Sequence, residues 1–178
     1  MMDSIVIGFS TSRKKFAPLA WLIRESENIP YSHTYIRVGS DSLDRYLVYH
    51  ASGTELHFSN IQRFRQHNVI CKEFFIPIEG EEKIEILQYC IDNLGVPYGR
   101  MQIVGLALIQ VLKLVGIKIH NPWKDGDKSQ ICLEFVANIL KILGETPDKN
   151  LEDKAMHWVM GRVEHVYNKR RTQEAQLG

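Results

Sequence analysis

Apolar residues alternate with other types in "SIVIGFS", Ser4 to Ser10, on a β-branched background, and this period of two predicts a first strand. The period lengthens in "RKKFAPLAWLIRESENIP", where Phe16, Leu19, Ala20, Leu22 and Ile23 form the apolar side of a helix. Pro18 fits that helix only at its start or at a kink. Alternation returns in "YSHTYIRVG". It predicts a strand with Tyr31, His33, Tyr35 and Arg37 on one face and Ser32, Thr34, Ile36 and Val38 on the other. "SDSLDR" reads as a turn, and "YLVYHASG" as the antiparallel partner, with Tyr46, Val48 and His50 in step. "ELHFSNIQRFRQHN" reads as a connecting segment. "VICKEFFIPI" is a further strand, stopped by Pro77 and Gly80.

The second half is helical in pattern. "EEKIEILQYCIDNLG" opens on acids, carries an apolar stripe of Ile84, Leu87 and Ile91, and closes at Gly95. "VPYGR" is a turn. Met101 to Ile119 is strongly apolar, and "NPWKDGDKSQ" is a polar loop. A helix containing Cys132 then runs to Leu143 and stops at Gly144, with Ile131, Phe135, Ile139 and Ile142 toward the core and Val136 and Leu143 alongside. "LEDKAMHWVMGRVEHVY" is a last helix, followed by a polar tail, 166–178, expected to be disordered. The pattern therefore predicts one α+β domain over residues 1–165, an antiparallel sheet packed against helices with an apolar helical insertion at 101–119.

Composition narrows the picture. The chain has 178 residues, enough for one domain with a hydrophobic core, and its 44% apolar and 24% charged content suits a globular protein. A net charge of +1 gives no reason to expect a nucleic-acid partner, and the basic runs "SRKK" and "NKRRTQ" read as solvated ends. The N-terminal "MMDSIVIGFSTS" lacks the charged and long apolar regions of a secretory signal, so a cytoplasmic location is expected. Met101–Ile119 approaches the ~20 residues that span a bilayer. Lys113 inside it would be costly in lipid. A packed helix is the better expectation, with membrane-surface contact as the alternative role.

Chemistry enters through three cysteines and seven histidines. Cys71, Cys90 and Cys132 include no CxxC pair, so neither a disulfide framework nor a cysteine zinc site is expected. Cys90 reads as packing inside its helix. Cys132 follows "DGDKSQ", where Ser129 or Asp127 would cap a helix, and a thiol in a first helical turn has its pKa lowered by free amide hydrogens and the dipole. A histidine beside it would complete a nucleophile. His33 and His50 lie on neighbouring predicted strands and would point to one face if the strands pair, one as base and the other as orienter of the ring. His57 and His67 fall in the connector and read as surface residues; His120, His157 and His165 have no evident partner. The spacing of His33, His50 and His57 fits no compact zinc motif, and no cofactor is called for.

"YSHTYIRV", "YHASG", "LGVPYG", the long apolar segment, "NPW.DGDKS" and "ICLEFVANIL", in that order, resemble the YiiX/YaeF-like permuted papain-fold amidases of the NlpC-type cysteine peptidase superfamily, relatives of the lecithin:retinol acyltransferases. The resemblance covers roughly residues 3 to 150, and its order is the telling part: the histidine precedes the cysteine by 99 positions. Family members often carry serine directly after the cysteine, where this chain has Leu133. The resemblance implies a circularly permuted papain-like fold, Cys132 as nucleophile, His33 as base and His50 as third polar residue. It implies acyl transfer on a peptide amide or a lipid-like amide or ester, and small phage-encoded proteins look similar. The oxyanion would meet the Cys132 backbone N–H and a second donor, for which Tyr31 and Tyr98 are candidates that would otherwise line the cleft. Glu134 points away from such a site around the helix. The competing expectation is a catalytically silent binding or virion-associated module on the same fold.

Overall fold

The computed structural model describes residues 3–15, 17–40, 45–52, 55–97, 105, 109, 112, 116–117, 132–145 and 156–177. Its strands are β1 (Asp3–Ser12), β2 (His33–Ser40), β3 (Arg45–Ser52), β4 (Glu55–Asn60) and β5 (Asn68–Ile78). Its helices are α1 (Pro18–Glu27), α2 (Ile61–His67), α3 (Gly80–Asp92), α4 (Cys132–Ile142) and α5 (Met156–Leu177). The strands form one antiparallel sheet in the order β4-β3-β2-β1-β5, so the fold is α+β with helices on a five-stranded antiparallel sheet.

Strand β1 is interior, between β2 and β5, and both of its faces are covered. Ile5, Ile7 and Phe9 point into the larger core, with Ile36, Val38, Tyr49, Ala51, Phe74, Ile76 and Ile78 from the other strands. Helices α3, α4 and α5 close that face through Ile86 and Cys90, Phe135, Val136 and Ile139, and Val159, Val163 and Val166. The opposite face holds a smaller cluster of Tyr35 and Val48 beneath Ile61 and Phe64 of α2. Gly8 belongs to this second face. A Cβ there would collide with the Tyr35 ring at Cζ, and Tyr35 is held in place by donating its hydroxyl to Glu73 Oε1 at 2.8 Å. Only glycine lets that ring lie across β1.

Local signals explain the element ends. Pro18 sits in the first turn of α1, where its missing N–H costs nothing, and Asn28 ends the helix in the left-handed region at φ 52°. Asn60 caps α2 by accepting from the Gln62 amide at 2.8 Å. Glu79 and Glu82 form a reciprocal capping box on α3.

Four expectations change. The connector after Glu55 is a fifth ladder strand and a short helix, β4 and α2. Tyr31 precedes the first residue of β2, so it escapes the alternation and packs edge-on against Phe9 in the larger core, at 5.1 Å between ring centroids. In α3 the buried residues are Ile86 and Cys90, while Ile84 and Ile91 are each 57% exposed. The segment from residue 166, expected to be disordered, continues α5 to Leu177. It is anchored because Val166 is buried, Tyr167 meets Phe74, and the Arg170 guanidinium forks onto Glu82 at 2.6 and 2.7 Å. Much of 101–119 lies outside the described residues. Within it Gly105, Ile109 and Leu112 are helical and Ile109 is buried. Among the described residues no helix is long and apolar enough to cross a membrane.

Candidate functional site

The second sheet face carries the histidines. His33 opens β2, pairing with Ser10 of β1. His50 of β3 pairs directly with His57 of β4, so both rings share a face. The His33 and His50 ring centroids are 5.6 Å apart in an edge-to-face arrangement, and those of His50 and His57 are 4.8 Å apart. Phe64 of α2 lies against both His33, at 6.4 Å, and His50, at 4.9 Å. The rings form one wall of a cleft of ≈ 1000 Å³, whose lining also includes Ser12, Ser32, Ser59, Arg63 and Ile23.

Burial keeps the two inner rings neutral. It lowers His33 from 6.5 to about 4. His50 falls from 6.5 to about 3, through burial first and then the neighbouring His33 and His57. Hydrogen bonds set the His50 tautomer: Nδ1 lies 3.2 Å from the Ala51 carbonyl oxygen and Nε2 lies 2.9 Å from Ser59 Oγ. A carbonyl only accepts, so Nδ1–H donates to it and the Ser59 hydroxyl donates to Nε2. Both nitrogens of His50 are thereby engaged, and it meets His33 through a ring edge rather than a hydrogen bond. Among the described residues His33 Nε2 is buried without a partner, as is Ser10 Oγ on the residue paired with it. A buried polar atom left unpaired costs about 1–3 kcal/mol.

Of the site residues expected from the sequence, His33 and His50 come together. Tyr31 does not join them: its hydroxyl donates to Met160 Sδ at 2.9 Å, and burial pushes its pKa up to about 12. Cys132 begins α4, its backbone in the first turn as expected, while its side chain, the capping residues Asp127 and Ser129, and Tyr98 lie outside the described residues. Helix α4 turns Phe135 toward Tyr49, ring centroids 5.6 Å apart, on the sheet face opposite the imidazoles. Cys90 is buried, its thiol raised to about 12 by that burial, as suits packing. Cys71 is exposed and its thiol is also raised.

Sequence reasoning missed His57 and Ser59, read as part of a connector. The signal was present in "ELHFSN": Leu56 turns into the core and His57 and Ser59 alternate with it, a period of two inside a polar run. Among the described residues no group of three or more His, Cys, Asp or Glu side chains could hold a metal ion. No protein-family model matches the chain, and no curated protein matches it.

Proposed function

We propose that the protein is a cysteine-dependent acyl-transfer enzyme, a hydrolase of amide or ester bonds on a circularly permuted papain-like fold, with Cys132 as nucleophile and His33 as base. The observation that carries this reading is the meeting of His33 and His50, from separate strands, at the wall of an open cleft. Cys132 at the start of α4 supports it, because a helix N-terminus favours a sulfur anion.

A His33 value near 4 means a neutral imidazole at physiological pH. That imidazole is then free to accept a proton. In the first step His33 takes the Cys132 proton as sulfur bonds to the carbonyl carbon. The bond from that carbon to the leaving nitrogen or oxygen breaks as the leaving group receives the proton from His33. Water then attacks the thioester, gives its proton to His33, and the acid and the thiol are released. His50, held as the Nδ1–H tautomer, packs edge-to-face against His33 and fixes that side of its ring. Peptide amides and lipid-like amides or esters both suit this chemistry.

A second reading, a binding module without turnover, is favoured by one observation. Helix α4 packs its apolar side on the sheet face opposite the imidazoles. Acylation by an activated ester near neutral pH, where neutral His33 can take the thiol proton as the bond forms, mapped by mass spectrometry, separates the two. Selective labelling of Cys132, slowed in His33→Ala, upholds the enzyme. Labelling of Cys132 no faster than that of exposed Cys71 and unchanged in His33→Ala leaves the binding module.

A further inference from the structure

Three exposed large apolar residues of the described chain fall on α3 and the turn that follows it: Ile84 and Ile91, each 57% exposed, and Leu94, 45% exposed. Their spacing, with partly buried Leu87 between them, is i, i+3, i+7, i+10, the two-residues-in-seven seam by which one helix packs against another. Of this stripe Leu87 packs against the larger core, while Ile84, Ile91 and Leu94 face solvent; the fold buries Ile86 and Cys90, about 100° further round the same helix. Along one border of the seam a helical wheel places Glu81, Glu85 and Asp92, all exposed, with Gln88 among them. The exposed arc is therefore apolar along its middle and carboxylate along its edge. Lys83 lies on the other side, where the helix turns toward the sheet.

We propose that α3 is a docking surface for a helix of a partner protein whose own apolar stripe is flanked by lysine or arginine. Charge decides the occupant. Two copies of this seam packed antiparallel would bring carboxylates together, and an anionic membrane surface would meet the same repulsion. A basic amphipathic helix buries Ile84, Ile91 and Leu94 and places its cations beside Glu81, Glu85 and Asp92. The surface is separate from the histidine cleft, and the proposal stands whether or not that cleft turns over substrate.

The test uses the full chain and two synthetic helical peptides with leucine in the seam positions, one flanked by lysine and one by glutamate, followed by fluorescence anisotropy. The lysine peptide is expected to bind saturably and to loosen with added salt, with the glutamate peptide bound at least about tenfold more weakly. Ile84→Glu and Ile91→Glu each reduce binding by about tenfold or more without moving the thermal unfolding midpoint, because both side chains already face solvent. The triple variant Glu81→Lys, Glu85→Lys, Asp92→Lys reverses the preference between the peptides. Binding of neither peptide, equal binding of both that the triple variant leaves unchanged, or a wild-type dimer dissociated by Ile84→Glu would each overturn the proposal.

Discussion

The two faces of the sheet are built by opposite means. On the larger-core face, β1 contributes Ile5, Ile7 and Phe9, and three helices seal them with aliphatic side chains. On the other, the same strand contributes Val6, Gly8 and Ser10, and a helix of seven residues covers only part of the surface. The first face spends its residues on apolar burial, which is non-directional and tolerant. The second buries polar groups, His50 and Arg37 among them, each of which needs a partner with defined geometry. Arg37 lies over the rings of Tyr46 and Phe75 and beside Glu73, and Tyr35 is held over Gly8 by the same carboxylate. One face is sealed by aliphatic packing, and the other gathers polar groups beside an open cleft.

Truncation sharpens this contrast most. Phe135 is fully buried between α4 and Tyr49, so Phe135→Ala is expected to cost about 4–5 kcal/mol. Phe64 is equally buried, but α2 is short and borders the open cleft, so Phe64→Ala is expected to cost about 3 kcal/mol. Urea unfolding of both variants measures the difference. A larger loss for Phe64→Ala would mean that the histidine face carries the stability after all.

Acid acts on the two faces unequally. His33 and His50 titrate in the folded chain at about 4 and about 3, below the ordinary 6.5. As pH falls below that ordinary value the unfolded chain takes up protons that the folded chain refuses. Stability is thus fully present above about 6.5 and declines as pH falls toward the folded values. Between about pH 7 and about pH 5 each ring accounts for roughly 2 kcal/mol, and less if the cleft admits water on protonation. The expected measurement is a thermal midpoint that drops on acidification in the wild type and drops less in His33→Gln and His50→Gln. The same slope in all three chains would show that the rings are not held neutral.

The faces also differ in how far the sequence discloses them. Period-two alternation marked β1, β2, β3 and β5, because β1, β2 and β5 turn Ile, Val or Phe to the larger core at alternate positions and β3 turns Tyr49 and Ala51 there. Antiparallel pairing of β2 with β3 followed, and with it the approach of His33 to His50. Strand β4 was hidden because its alternation is carried by Leu56 and Phe58 against His57 and Ser59, too polar a run to stand out from a loop. In α3 the stripe with the cleaner heptad spacing faces solvent and the less obvious pair Ile86 and Cys90 faces the core, a choice made by the tertiary packing rather than by periodicity. The last helix exceeded its apolar pattern because Arg170 ties it to Glu82 and to the carbonyls of Pro77 and Leu143, contacts remote in sequence. Which way Tyr31 turns was likewise settled by a sulfur on another helix, Met160 Sδ.

The smallest expected effect is the most specific to the histidine face. Ser59 is held at the correct spacing by the β3–β4 ladder, through the pair Val48 with Ser59, and its hydroxyl reaches His50 Nε2. Ser59→Ala removes no apolar packing and leaves that nitrogen without its donor, at a cost of about 1 kcal/mol in stability. The tautomer is expected to survive, because the Ala51 carbonyl still accepts only from Nδ1–H. Nitrogen-15 spectra of the imidazoles report this directly: one Nδ1–H tautomer for His50 in the wild type and in Ser59→Ala, with the Nε2 shift alone moved by the loss of its donor. Ser59→Thr keeps a hydroxyl at the same atom and is expected to restore that shift. An Nε2–H signal for His50 in the wild type would show that the serine accepts rather than donates, and the ring would then present its other edge to His33.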